Sequence, residues 1–389
     1  MKVFILAGEP SGDKLGGALM AGLKSLGPAE FRGVGGTQMQ AQGLASLFDM
    51  SDLSVMGLLE VIPKIPKLIG RVKQTVAAVK TFAPDVLITI DSPDFCQRVT
   101  QRLKEAHLKL KIVHYVAPSV WAWRPERAEK MAKSVDHVLA LLPFEPPYME
   151  KAGMSCDFVG HPVVSEPMPT DVEVDALAQE LGVDRSRPIL CLLLGSRKGE
   201  VARMGPIYQW CMAALAREQA GLQVLIPAAG AVAQQVKDMI ENWVPRTFIV
   251  DPTGFAAEDV EHRKRAAFRL SDAALATSGT VALELAAAQC PMVVAYKANY
   301  LTTLMVKKMA QIETANLINI VTDTRVIPEL LFENCTAGQI APAVVQMLTD
   351  KSARAKQFIA GNATMDALGR GGEDPGLRAA KSVMAFLGR

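Results

Sequence analysis

Asp91 follows the run V-L-I-T-I in the segment V-L-I-T-I-D-S-P-D-F, whose apolar and β-branched residues 86–90 read as a strand buried on both faces. Pro93 stops that strand, and Asp94 can cap or start the helix that follows. Asp91 is therefore expected at the C-terminal tip of a central strand, the edge that borders the ligand crevice of open α/β sheets. A carboxylate held there can take a proton from a substrate hydroxyl. Capping of a turn is the other reading of the same position.

Other clusters suit ligands instead of proton transfer. Residues 2–7 form a first strand that enters Gly8-Glu9-Pro10-Ser11-Gly12-Asp13 and then a helix over 14–26. Gly12 would let the backbone approach a ligand, and Ser11 and Asp13 can cap the helix. The loop suits a hydroxylated or phosphorylated group, or a purely structural turn; the dinucleotide fingerprint G-x-G-x-x-G is missing. Trp121, Trp123 and Arg124 lie in a strand-to-helix loop, where they can line a sugar or acyl site or wedge the loop onto the sheet. In the second half, Arg197 and Lys198 follow a strand at a helix start and suit a diphosphate. Ser278, Gly279 and Thr280 offer N–H groups and hydroxyls to phosphate, with Glu284 one turn on for a ribose; a capped helix with a surface Glu is the plainer reading. Asn316 falls in a polar turn expected at the same edge.

These residues need two sets of alternating strands and helices. Strands are expected at 2–7, 31–34, 86–90, 111–116 and 138–142, and again at 189–194, 222–226, 247–250, 273–276 and 292–296. A proline-rich, acidic stretch, 162–175, reads as the linker between the halves. The tail, 337–389, reads as helical with a glycine break at 369–372. Residues 54–61 lead into a basic amphipathic helix over 63–80. Ile65, Leu68, Ile69, Val72, Val76 and Val79 share one of its faces, with Lys64, Lys67, Arg71, Lys73 and Lys80 around them. Such a helix can lie in an anionic membrane interface, or cover a sheet with its basic face in water.

The composition narrows the class. At 389 residues and 50% hydrophobic, the chain suits two domains with full cores. Its 42 basic and 40 acidic residues leave a net charge of +2, so no whole-molecule field favours nucleic acid. The six cysteines are scattered, with no C-x-x-C and no metal-ligand spacing, as expected of buried thiols in a reducing compartment. The N-terminus reads as a strand rather than a signal peptide, and no apolar window free of charge and proline is long enough to span a bilayer. A cytoplasmic protein is expected.

Eight segments, in this order, carry a resemblance. They are A-G-E-P-S-G-D (7–13), V-M-G-L-L-E-V (55–61), I-D-S-P-D-F (90–95), H-Y-V-A-P-S-V-W-A-W-R (114–124), L-P-F-E (142–145), F-V-G-H-P (158–162), G-S-R-x-x-E-V (195–201) and S-G-T-V-A-L-E (278–284). Together they resemble the lipid-A-disaccharide synthase family over roughly residues 1–335; Leu194 and Ala315 stand where that family is expected to have proline.

The resemblance implies an α/β chain with two Rossmann-like domains of the GT-B type facing each other across a cleft. The first, 1–165, would bind the acceptor and dock on the membrane; the second, 166–350, would bind the UDP-sugar; residues 351–389 would form a helical tail. The implied reaction joins UDP-2,3-diacylglucosamine to 2,3-diacylglucosamine 1-phosphate (lipid X), giving a β-1,6-linked disaccharide and UDP. An α-linked donor giving a β-linked product means inversion by direct attack, with Asp91 as the base. Arg197, Ser278, Gly279, Thr280 and Asn316 would hold the leaving diphosphate, Glu284 the ribose, and Ser11, Trp121, Trp123 and Arg124 the acceptor side. No D-x-D occurs and no cofactor or metal is implied; protein dipoles would neutralise the leaving group. The resemblance also implies a peripheral enzyme of the inner membrane. Ile65, Leu68, Ile69, Arg71, Val72 and Lys73 would dock on its anionic surface, with a homodimer as a further expectation. Two readings from other classes share the paired-domain plan: a UDP-N-acetylglucosamine 2-epimerase, and a non-catalytic binding protein.

Overall fold

The apolar runs form two parallel sheets whose central strands are buried from end to end, as strands covered by helices on both faces must be. The structure, a computed structural model, describes residues 1–53, 65–107, 109–298, 303 and 312–389. The segment V-M-G-L-L-E-V, with the rest of 54–61, and Pro63 and Lys64 of the basic helix lie outside the described residues.

The first unit comprises Met1–Ser165 together with Leu368–Arg389. Its strands are β1 (Lys2–Ala7), β2 (Glu30–Val34), β3 (Ala45–Ser46), β4 (Val86–Ile90), β5 (Lys111–Tyr115), β6 (His137–Ala140) and β7 (Ser155–Phe158), in the spatial order β3-β2-β1-β4-β5-β6-β7. The helices are α1 (Pro10–Leu26), α2 (Thr37–Ala41), α3 (Ile65–Phe82), α4 (Pro93–Glu105), α5 (Glu126–Ala132) and α6 (Pro146–Lys151). The strand order reverses between β1 and β4, where Ala7 lies opposite Ile90. Both turns that leave this switch point, after Ala7 and after Ile90, open on the crevice edge.

The second unit, Glu166–Ala367, repeats the plan. It contains α7 (Asp171–Leu181), β8 (Ile189–Leu193), α8 (Lys198–Glu218), β9 (Gln223–Pro227), α9 (Ala233–Ile240), β10 (Arg246–Val250), α10 (Ala257–Leu270), β11 (Ala273–Thr277), α11 (Val281–Ala287), β12 (Met292–Tyr296), α12 (Leu317–Thr322), β13 (Glu329–Leu331), α13 (Ala337–Thr349) and α14 (Lys351–Ala367). The strand order is β10-β9-β8-β11-β12-β13, so its reversal falls between β8 and β11.

Two stretches differ from expectation. The acidic half of the 162–175 linker is helix: Thr170 accepts from Glu173 N while Glu173 accepts from Thr170 N, a capping box that starts α7. The tail expected over 351–389 divides between the units. Gln357 of α14 accepts from Met292 N (2.7 Å) and donates to Met292 O (2.9 Å), which stitches that helix to β12. The last helix, α15 (Pro375–Phe386), belongs to the first unit and packs on α1 through small residues. A Cβ on Gly22 would stand 2.7 Å from Gly376 O, and one on Gly376 would stand 2.8 Å from the Ala18 Cβ. His137 holds the far end of α15, with Ser382 Oγ 2.9 Å from its Nε2 and the Phe386 ring stacked at 4.8 Å. All six cysteines are buried and free.

Candidate active site

At the first switch point the chain turns sharply. Asp91 and Ser92 both have left-handed backbones (φ 48° and 45°), a conformation that costs about 1–2 kcal/mol for a residue with a Cβ. The turn is held by Asp91 N donating to Tyr115 O (3.1 Å) and Cys96 N donating to Ser92 O (3.0 Å). Pro93 then opens α4 at a position that needs no N–H, so Asp94 lies in the first turn and is not its cap. Asp91 is half-buried, and among the described residues no hydrogen bond or ion pair reaches its carboxylate. Strain of this kind collects where a side chain must be aimed.

The turn beside it works differently from expectation. Helix α1 begins at Pro10, before the expected start, and neither Ser11 nor Asp13 caps it. Asp13 is 3% exposed, and its carboxylate accepts from Gly36 N (2.7 Å), Gln38 N (2.9 Å) and Met39 N (3.1 Å). It therefore caps α2, not its own helix. A Cβ on Gly12 would meet Ala7 and Ile90 at ordinary contact distance, so this glycine faces the sheet and not a ligand. Ser11 is exposed on the first turn of α1.

The loop after β5 carries two more strained residues, Val116 (φ 82°) and Arg124 (φ 51°), the first a β-branched outlier. Its two tryptophans have separate tasks. Trp121 Nε1 donates to Glu145 Oε1 (3.3 Å) and its ring meets Phe144 edge-on at 5.2 Å, so the L-P-F-E corner grips it. Trp123 is exposed, with the Arg124 guanidinium 4.5 Å from its ring centroid. Glu145 also accepts from Leu142 N (3.0 Å) and is 4% exposed; burial pushes its carboxyl up to about 7, against the pull of those N–H groups. Ser11, Asp91 and the W-A-W-R loop thus leave adjacent strands β1, β4 and β5 at one edge.

Helix α3 runs back beneath the sheet, so its first turn reaches that same edge. Ile65 (42%) and Ile69 (40%) are exposed there, Leu68 is half-buried and Lys73 is exposed. Two residues grouped with them from the sequence have other partners. Val72 is buried in the core, and Arg71 pairs with Asp52 (2.7 Å) and lies over the Phe48 ring. Among the described residues no helix is long and apolar enough to cross a membrane.

In the second unit, the turns after β8 and β11 are neighbours, because Leu193 lies opposite Ala276. Thr277 Oγ1 donates to Leu193 O (2.9 Å), which fixes the two strand ends. Arg197 is exposed at the start of α8, where it pairs with Glu200 (3.0 Å). Ser278 is half-buried, Gly279 and Thr280 are exposed, and a Cβ on Gly279 would meet nothing within 4 Å. Glu284, one turn into α11, is held by Lys264 of α10 (2.8 Å). Burial opposes the Lys264 charge, but Glu284 and Glu261 outweigh it and raise its pKa above the ordinary lysine value. Asn316 is buried: its amide oxygen accepts from Ile318 N (2.9 Å) and caps α12, not a loop surface. Lys264 and Glu145 were not singled out as functional from the sequence; the L-P-F-E spacing was a signal for Glu145, whereas nothing local pointed to Lys264.

Comparison with known proteins adds independent findings. A family model described as Lipid-A-disaccharide synthetase matches residues 3–373. A Lipid-A-disaccharide synthase of Ruegeria pomeroyi is 53% identical over 388 residues, covering 100% of this chain and 96% of that protein. One from Rhodospirillum centenum is 43% identical over 99% of this chain and 94% of its own length. Among solved structures, an S. aureus MnaA–UDP co-structure is similar at TM-score 0.69 and 12% identity, over 100% of this chain and 97% of that one. A glycosyltransferase from Rickettsia africae is similar at TM-score 0.59 and 12% identity, over 100% and 98%. At such identities the structures speak for the fold alone.

Proposed function

The chain belongs to the lipid-A-disaccharide synthase family, and on that premise we propose that Asp91 is the base of an inverting sugar transfer. The enzyme is a glycosyltransferase of lipid A biosynthesis. It joins UDP-2,3-diacylglucosamine to 2,3-diacylglucosamine 1-phosphate, and the products are the β-1,6-linked disaccharide 1-phosphate and UDP. Inversion needs one base, an aligned acceptor hydroxyl and a stabilised leaving group. The observation that carries the assignment is the Asp91 carboxylate itself, set on a left-handed turn at the switch point with no internal partner among the described residues.

In this reading Asp91 takes the proton of the acceptor 6-hydroxyl as the oxygen attacks the anomeric carbon. The N–H groups and hydroxyls of Ser278, Gly279 and Thr280, with Arg197 and the amide nitrogen of Asn316, receive the charge that develops on the leaving diphosphate. Arg197 must exchange Glu200 for the diphosphate, and Glu284 receives the ribose hydroxyls. Ser11, Trp121, Trp123 and Arg124 line the acceptor side. The exposed Ile65 and Ile69, with Leu68 and Lys73, support attachment of this edge to an anionic lipid surface, where both diacylated substrates reside.

UDP release from the two lipid substrates tests the assignment. Wild type should turn over with or without EDTA. Asp91→Asn should lose about 10²–10⁴-fold in kcat while keeping its fold. Near-normal turnover by that variant removes Asp91 from the role.

A further inference from the structure

Behind the Asp91 turn, between α4, α5 and the sheet, lies a cavity lined by Pro93, Cys96, Gln97, His114, Arg127 and Lys130, and by the hydroxyls of Thr89, Thr100 and Ser134. No acidic residue lines it. Arg127 and Lys130 have no ionic partner among the described residues, and no hydrogen bond to the Gln97 amide is found there. His114 is 4% exposed, and Thr89 Oγ1 lies 2.7 Å from its Nδ1 and 3.3 Å from Val113 O. The Thr89 hydroxyl donates to Val113 O, so the ring carries its proton on Nδ1 and donates it to Thr89 Oγ1. Burial and the nearby Arg127 charge push its pKa down to about 4, so the ring is neutral at pH 7. The cavity lining therefore offers two cations and an amide N–H, and no carboxylate.

Its enclosed part has about 40 Å³ of room for water-sized groups, against about 10–15 Å³ for one water. That admits a phosphate but not a sugar ring or an acyl chain. It also adjoins the base: the Asp91 charge is felt by Cys96, a lining residue whose thiol pKa burial and that carboxylate both raise. Gln97 lies about one turn into α4, the helix that opens two residues after Asp91.

We propose that this cavity is the seat of the acceptor's phosphate monoester, with Arg127 and Lys130 as its cationic partners and Gln97 as its hydrogen-bond donor. The inference rests on the transferase reading above and adds the subsite that selects a phosphorylated acceptor. It also accounts for orientation: a phosphate anchored behind the turn leaves the far end of the sugar, and its primary hydroxyl, free to meet Asp91.

Full-length enzyme, Arg127→Met and Lys130→Met would be compared on 2,3-diacylglucosamine 1-phosphate and on its dephosphorylated form, the latter as substrate or competitive inhibitor. Each variant should raise KM for the phosphorylated lipid about 10-fold, the cost of one charge-assisted contact, with kcat and the KM for the UDP-sugar nearly unchanged. Affinity for the dephosphorylated lipid should match wild type. Lys130 is exposed, so its variant should fold. Equal losses on both lipids, or no loss on either, would overturn the proposal, as would a phosphate-dependent effect confined to added inorganic phosphate. Failure of the base assignment reads differently, because Asp91→Asn would then keep kcat on both lipids.

Discussion

Gly8 faces Ser92 across the first switch point so closely that a Cβ on residue 8 would stand 2.9 Å from the Ser92 Cβ and overlap its hydroxyl. The glycine is thus required by its neighbour's left-handed turn, and through that turn it sets where Asp91 points. Gly8→Ala should cost about 1–3 kcal/mol of stability, as overpacking does. Displacement of the carboxylate should lower kcat up to about 100-fold with the KM for the UDP-sugar preserved. Steady-state kinetics beside a thermal melt would check both; unchanged kcat would show that the turn absorbs the methyl without moving Asp91.

Lys264 and Glu284 should act as one unit in donor binding. Lys264→Met frees the Glu284 carboxylate from its 2.8 Å partner and should raise the KM for the UDP-sugar about 10-fold, with kcat little changed. Glu284→Gln should do the same. The double variant should be no worse than the more impaired single variant, because coupled residues are not additive. Additive losses would show that Lys264 works independently of Glu284.

Glu145 makes stability fall on the alkaline side. Its folded pKa of about 7 lies above the ordinary 4.5, so the folded state favours the proton. That contribution is complete below pH 4.5 and is lost as the pH rises through 7. Between pH 5 and pH 8 wild type should lose on the order of 3 kcal/mol that Glu145→Gln does not. Denaturant midpoints of both proteins at the two pH values measure this difference, since every other titrating group is shared. Parallel curves would contradict it.

Membrane attachment should depend on the first turn of α3. Replacing Ile65 and Ile69 by Asp should weaken co-sedimentation with vesicles containing anionic lipid at least about 10-fold. Activity on detergent-dispersed substrates should be retained. Val72→Ala should instead destabilise the protein by about 0.5–1.5 kcal/mol or more, because that side chain is 2% exposed. Vesicle binding unchanged by both Asp substitutions would move the docking surface elsewhere.

The strands were the most legible part of the chain. Strands β1, β4 and β12 run over the same residues that their apolar runs mark out, since a strand covered on both faces leaves no other place for such residues. The start of α7 was legible too, in the T-D-V-E of its capping box, but the prolines and acids before it drew the reading toward a linker. What escaped were relations between distant residues. The Asp13 carboxylate caps a helix more than twenty residues away, and its own position suggested only the nearer one. The Lys264–Glu284 pair and the donor-lined cavity behind Asp91 join elements that only the folded sheet brings side by side. Arg71 showed the same limit: its charge was plain, but its partner Asp52 was not.

The return of α15 to α1 has a consequence for synthesis. Ala18 and Gly22 lie on a helix that is synthesised long before Gly376, the residue packed against them. Until α15 has been made, the nascent chain must carry that bare stripe of α1, and docking of α15 is the event that closes the outer layer of its first sheet.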